Sequence, residues 1–112
     1  MKYRTLLTEL PWKPHPTAPG VEMQPLVTSA DGPDLTCVLV RVPAGSSIPE
    51  HTHETQEDIV YPLSGRATMR VAGEEFELSP GMIVRVPAGV LHGIIAVSED
   101  LLVYDVFSPA LI

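Results

Sequence analysis

Short runs of Val, Ile, Leu and Thr recur along the chain, each stopped by Pro, Gly or a small polar residue. The clearest alternation lies at 66–71, with Ala67, Met69 and Val71 on one side and Arg66, Thr68 and Arg70 on the other. That period of two is the mark of a half-buried strand. The strongest apolar run is 35–42, eight residues ending in Arg41 and Val42. Further strands are predicted at 21–28, 59–63, 75–78, 82–86, 92–97 and 101–107, and an extended segment carries His51 and His53. Turns are expected at 30–34, at Ser64-Gly65, at 72–74, at 79–81 and at Pro87-Ala88-Gly89. No stretch holds a helical period, because twelve prolines and eight glycines in 112 residues leave too little uninterrupted chain. About nine short strands with close turns predict an all-β sandwich or barrel.

Residues 1–20 read differently. Pro11, Pro14, Pro16 and Pro19 make this an extended proline-rich arm, followed by one β-domain over 21–112. Within the β-domain, Pro62 marks an edge or a point where no ladder bond is needed.

Composition narrows the partners. A net charge of −7 repels phosphate backbones, so nucleic acid is not expected as a partner. No segment approaches the ~18 apolar residues of a membrane span, and no signal peptide is recognisable, so no membrane role and a cytoplasmic location are expected. One cysteine, Cys37, permits no intramolecular disulfide. It reads as a small buried hydrophobe.

Three of the four histidines carry the candidate chemistry. His51 and His53 stand two apart on an extended segment and can face one point. His92 follows the Pro87-Ala88-Gly89 turn and can be brought to the same place. Neutral imidazole is the commonest ligand for a divalent transition metal, so the three predict a mononuclear metal site. His15, in the arm, reads as a solvated loop histidine. Arg41, Arg66, Arg70 and Arg85 alternate with apolar positions and read as outward-facing; one turned inward would be a handle for an anionic substrate.

The spacing around these histidines resembles the two motifs of the cupins. Gly45, five residues, His51, Thr52, His53, an acidic pair and Gly65 are similar to the first, Gly-x5-His-x-His-x(3 or 4)-Glu-x6-Gly. Gly81, five residues, Pro87, Ala88, Gly89, two residues and His92 are similar to the second, Gly-x5-Pro-x-Gly-x2-His-x3-Asn, with Ala96 in place of the asparagine. The resemblance implies a single-domain cupin jelly-roll β-barrel with a metal at its centre. By position it implies His51, His53 and His92 as ligands, with a carboxylate from the first motif. Register from Gly65 favours Asp58 for that carboxylate; side-chain type favours Glu57. Neighbours on a strand face opposite ways, so one of them faces the metal.

Such a shell leaves positions open on Fe, Mn, Ni, Co or Zn for a small-molecule ligand or substrate. The resemblance implies a metal-dependent enzyme acting on a small polar metabolite, with dioxygenase-like chemistry slightly ahead of isomerase or lyase chemistry. The alternative is a non-catalytic module that senses a metal or small molecule. Trp12, Gly20-Val21 and Leu26 loosely resemble the opening segment of cupins related to anti-sigma-factor metal domains, which supports that alternative. An uncovered sheet edge, with the arm or the apolar tail at 107–112 free to cross, predicts a homodimer.

Overall fold

A computed structural model describes residues 3–112. Its elements are a single 3-10 turn, Leu7–Glu9, and eight strands: β1 (Lys13–Pro14), β2 (Glu22–Val27), β3 (Thr36–Val42), β4 (Ile48–His51), β5 (Glu57–Val71), β6 (Glu74–Leu78), β7 (Val84–Val86) and β8 (His92–Ser108). There is no α-helix among the described residues. All pairings are antiparallel, in the order β1-β2-β3-β8-β5-β6, with β4 added to β8 and β7 added to β5.

Two long strands hold the barrel together. β5 has 15 residues and β8 has 17, and they pair along nearly their whole length. Their outer halves, around Val60 and Val103, join β3 and β7; their inner halves, around Met69 and Ile94, join β4 and β6. Each strand therefore serves both layers, as in a jelly roll.

The sequence pattern predicts a turn at Ser64-Gly65 and a break between 97 and 101. Neither ends a strand. β5 passes through Gly65 with register shifts on both sides, so the turn is a bulge that bends the strand from one layer into the other. Gly65 takes φ +94°, and a Cβ there would lie 2.1 Å from the Asp100 carbonyl oxygen. Only glycine fits this crossing. Pro62 sits at the same irregularity, where a missing N–H costs little.

Alternation fills the interior as the pattern predicted. Val38, Val40 and Val42 of β3 face Leu101 and Val103 of β8 and Val60 of β5, and Ala67, Met69 and Leu78 close the other layer. Burying a Val, Leu or Met side chain contributes about 1.5–3 kcal/mol each, so these inward rows dominate the stability.

The arm and the tail are tied to this barrel. Lys13 and Pro14 pair with Met23 and Glu22, Ala18 is buried, and the Gln24 amide donates to the carbonyls of Leu7 and Leu10. Trp12 stacks under Arg41, with the guanidinium 4.0 Å from the ring centre. The tail folds back on its own chain rather than reaching outward: Leu111 N–H donates to Thr36 Oγ1 at 2.9 Å and Ser29 N–H to the Ile112 carbonyl at 2.6 Å. Thr36 is fully buried and accounts for this docking.

Candidate metal centre

Strand pairing brings the histidines together. His51 ends β4 and His92 begins β8, and the two are direct antiparallel partners. Gly93 permits this, since a Cβ there would meet the Glu50 nitrogen and the Ile48 oxygen at 2.9 Å. His53 follows β4, and its carbonyl accepts the Gly89 N–H at 2.7 Å. The Pro87-Ala88-Gly89 turn thus binds the segment of the first motif to that of the second. The ring centres lie 4.4 Å apart for His51 and His92, 4.9 Å for His51 and His53, and 5.3 Å for His53 and His92. A ligand atom of each lies within 4.8 Å of the others.

The hydrogen bonds orient the rings. His51 Nδ1 lies 2.7 Å from the Pro49 carbonyl and His92 Nδ1 lies 2.9 Å from the Val90 carbonyl. A carbonyl only accepts, so Nδ1 carries the proton and each Nε2 is left with a free lone pair. The edge of His53 packs against Phe107, with centres 5.1 Å apart.

The two carboxylates of the first motif face opposite ways. Asp58 is 4% exposed, lines the cavity and brings Oδ2 to 3.4 Å from His92 Nε2. Glu57 is on the outer face, where it accepts from Arg85 Nε at 2.8 Å. Asp58 stands beside the three histidines rather than within their 4.8 Å group. Arg41, Arg66 and Arg70 also pair with surface carboxylates, so none of the four arginines supplies an anion handle in the cavity.

Sequence reasoning overlooked Asp105. It lies on β8 between Val103 and Phe107, opposite both Val38 and Val60, and faces the same cavity. The signal was present: an acidic residue in the inward parity of an apolar strand. Burial, then the neighbouring Asp58 carboxylate, push the Asp105 carboxyl well above the usual carboxylate range. His15 also departs from its reading as a solvated loop histidine. Its ring is half-buried and lines the cavity.

The donor set fits a metal ion. His92 Nε2, Asp58 Oδ1 and Asp105 Oδ1 are buried without hydrogen-bond partners, a costly state that a bound cation or a proton relieves. Burial alone would lower the His92 pKa, but Asp58 and the Val90 carbonyl outweigh it and raise the value. Burial and the charge of His51 lower that of His53, which favours the neutral, ligating form. The cavity around these groups measures about 300 Å³ and is walled mainly by apolar side chains.

Comparison with known proteins agrees with this architecture. The Cupin domain family model matches residues 38–107, which span both histidine motifs. The structure of KdgF from Halomonas sp. superimposes with a TM-score of 0.86 and 30% identity, covering 99% of this chain and 96% of that one. The pectin degradation protein KdgF of Dickeya dadantii is 27% identical over 101 residues, 90% of this chain and 87% of its own. Quercetin 2,3-dioxygenase of Bacillus subtilis is 40% identical over 50 residues, 45% of this chain but 15% of the dioxygenase. The chain belongs to the cupin domain family.

Proposed function

We propose that this cupin is a mononuclear metal-dependent enzyme that moves a proton on a small oxygenated metabolite. His51, His53 and His92 hold the ion and Asp58 is the fourth donor. The observation that carries this reading is the set of buried, unpartnered Nε2 and carboxylate oxygens gathered around one small cavity. When bound, the ion supplies a Lewis acid that polarises a carbonyl or steadies an enolate. Glu57 has no part in the site, because it is held outside by Arg85.

Asp105 supplies the proton. Burial, then the Asp58 carboxylate, hold its carboxyl well above the usual carboxylate range and favour the protonated form, so it serves as a general acid toward the carbon of an enolate and recovers the proton in the reverse direction. The apolar wall excludes water and keeps that proton for the substrate. A cavity of about 300 Å³ is at the small end of ligand sites, so the substrate is monomer-sized rather than a polymer.

A second reading is dioxygenase chemistry on an enol or phenol, favoured by the short likeness to quercetin 2,3-dioxygenase. The test is a screen of the zinc-, manganese-, nickel-, cobalt- and iron-loaded protein against small enols, diketones and phenols, followed by ultraviolet absorbance and by an oxygen electrode. Substrate-dependent absorbance change without oxygen uptake, lost by about 10²-fold or more in Asp105→Asn, is expected. Oxygen uptake coupled to substrate loss would replace the proton-transfer reading. Tight ligand binding with no turnover in any metal form would favour a sensor and end the enzyme reading.

A further inference from the structure

We infer that His15 is a substrate-binding residue: its Nε2–H donates to one neutral oxygen of a metal-chelating substrate with an otherwise apolar body. The inference rests on the proposed metal site and extends it to substrate class.

The ring of His15 is pinned by its own loop. The backbone N–H of His15 donates to the Val21 carbonyl at 2.8 Å. Its Nδ1 accepts the N–H of Thr17 at 3.1 Å and that of Ala18 at 3.1 Å. An atom that accepts two amide protons is the unprotonated nitrogen, so the neutral ring carries its proton on Nε2. Burial, then the charge of His51, lower the His15 pKa and keep the ring neutral. With Nδ1 turned to the loop, Nε2 is the edge left for the cavity that the ring lines.

The rest of the wall tells what this donor can serve. Met23, Val40, Ile48 and Met69 line the cavity, together with Leu111 and Ile112 of the tail. No Lys or Arg lines it, so a second carboxylate on the substrate would be buried without a counter-charge. A substrate bearing many hydroxyls would leave them unpaired against methyl and thioether groups. Apart from Thr17, the polar side chains of the wall are the histidine and aspartate cluster and His15. The matching ligand has a chelating group, an otherwise apolar body and one further acceptor oxygen.

Hydroxamates test this without turnover, because they chelate metals and are not substrates for proton transfer. Zinc-loaded protein is titrated by calorimetry with hexanohydroxamate and with its mono-keto analogues, the carbonyl moved one carbon at a time. At least one keto analogue is expected to bind wild type about five- to tenfold more tightly than it binds His15→Phe. Unsubstituted hexanohydroxamate is expected to bind both proteins equally, which also certifies that the variant folds. If His15→Phe weakens every probe alike, or none, His15 is not the anchor. If no hydroxamate binds wild type, the metal reading itself fails and takes this inference with it. A second measurement needs no variant: ¹⁵N-labelled wild type should show His15 as the Nε2–H tautomer, and an Nδ1–H tautomer would overturn the proposal.

Discussion

At the scale of single residues, strand parity decides which groups reach the cavity. Asp58 and Glu57 are neighbours with similar side chains, yet one is buried beside His92 and the other is exposed on Arg85. Asp58→Asn is therefore expected to weaken metal binding at least tenfold by competition with a chelating dye, whereas Glu57→Gln leaves it unchanged; equal effects would contradict the assignment. The raised pKa of His92 gives a pH dependence with a definite sign. In the stripped protein the His92–Asp58 pair stabilises fully below the unfolded imidazole pKa of about 6.5, and this is lost as pH rises through the higher folded value. Metal needs the neutral ring, so its affinity moves the other way. The difference in melting temperature between loaded and stripped protein should grow as pH rises through that range, and a difference that shrinks would refute the role of His92. The three clustered histidines were legible as residues because their spacing is tight: one ends β4, the next stands two residues on, and the third follows a fixed turn. Asp105 was legible only through its inward parity on an apolar strand, and His15 not at all, because no local pattern says which side of its loop faces the cavity.

At the scale of elements, the barrel is a story of two bent strands. Sequence punctuation at Ser64-Gly65 and at 98–100 reads as strand ends, since glycine and polar residues interrupt an apolar run there. The chain instead uses them to turn a corner without breaking the ladder, a long-range fact that local pattern does not carry. Gly65 bears the consequence. Gly65→Ala places a methyl against the Asp100 carbonyl at a positive φ, and a loss of at least about 2 kcal/mol is expected from urea denaturation. Gly73, also at positive φ, has open space around its Cβ position and its alanine variant should cost less. If the two cost the same, the crossing at Gly65 is not tight. The alternating segment at 66–71 and the apolar run at 35–42 were legible because one face of each packs into the core.

At the scale of the whole molecule, the arm and the tail complete the cavity. His15 and Thr17 come from the arm, and Leu111 and Ile112 from the tail. Proline-rich and irregular segments carry no period, which is why their part in the site could not be read in advance. The tail is bonded to Thr36 of its own chain, so a partner would meet the outer sheet instead. Tyr61 and Leu63 share the outward face of β5 and are 47% and 45% exposed, an apolar stripe that favours association. We expect a homodimer by light scattering at micromolar concentration, converted to monomer by charged residues at Tyr61 and Leu63; a wild-type monomer would contradict it. Among the described residues, no helix is long and apolar enough to cross a membrane.

The central claim is that three histidines hold one divalent transition metal. Elemental analysis of the chain, purified without a metal-affinity tag, tests it most directly when run beside His51→Ala. The wild type should carry close to one equivalent of such a metal, and the variant should lose most of it while keeping its fold by circular dichroism. Full retention of metal in the variant, or a wild type that stays empty after dialysis against each candidate ion, would contradict the claim.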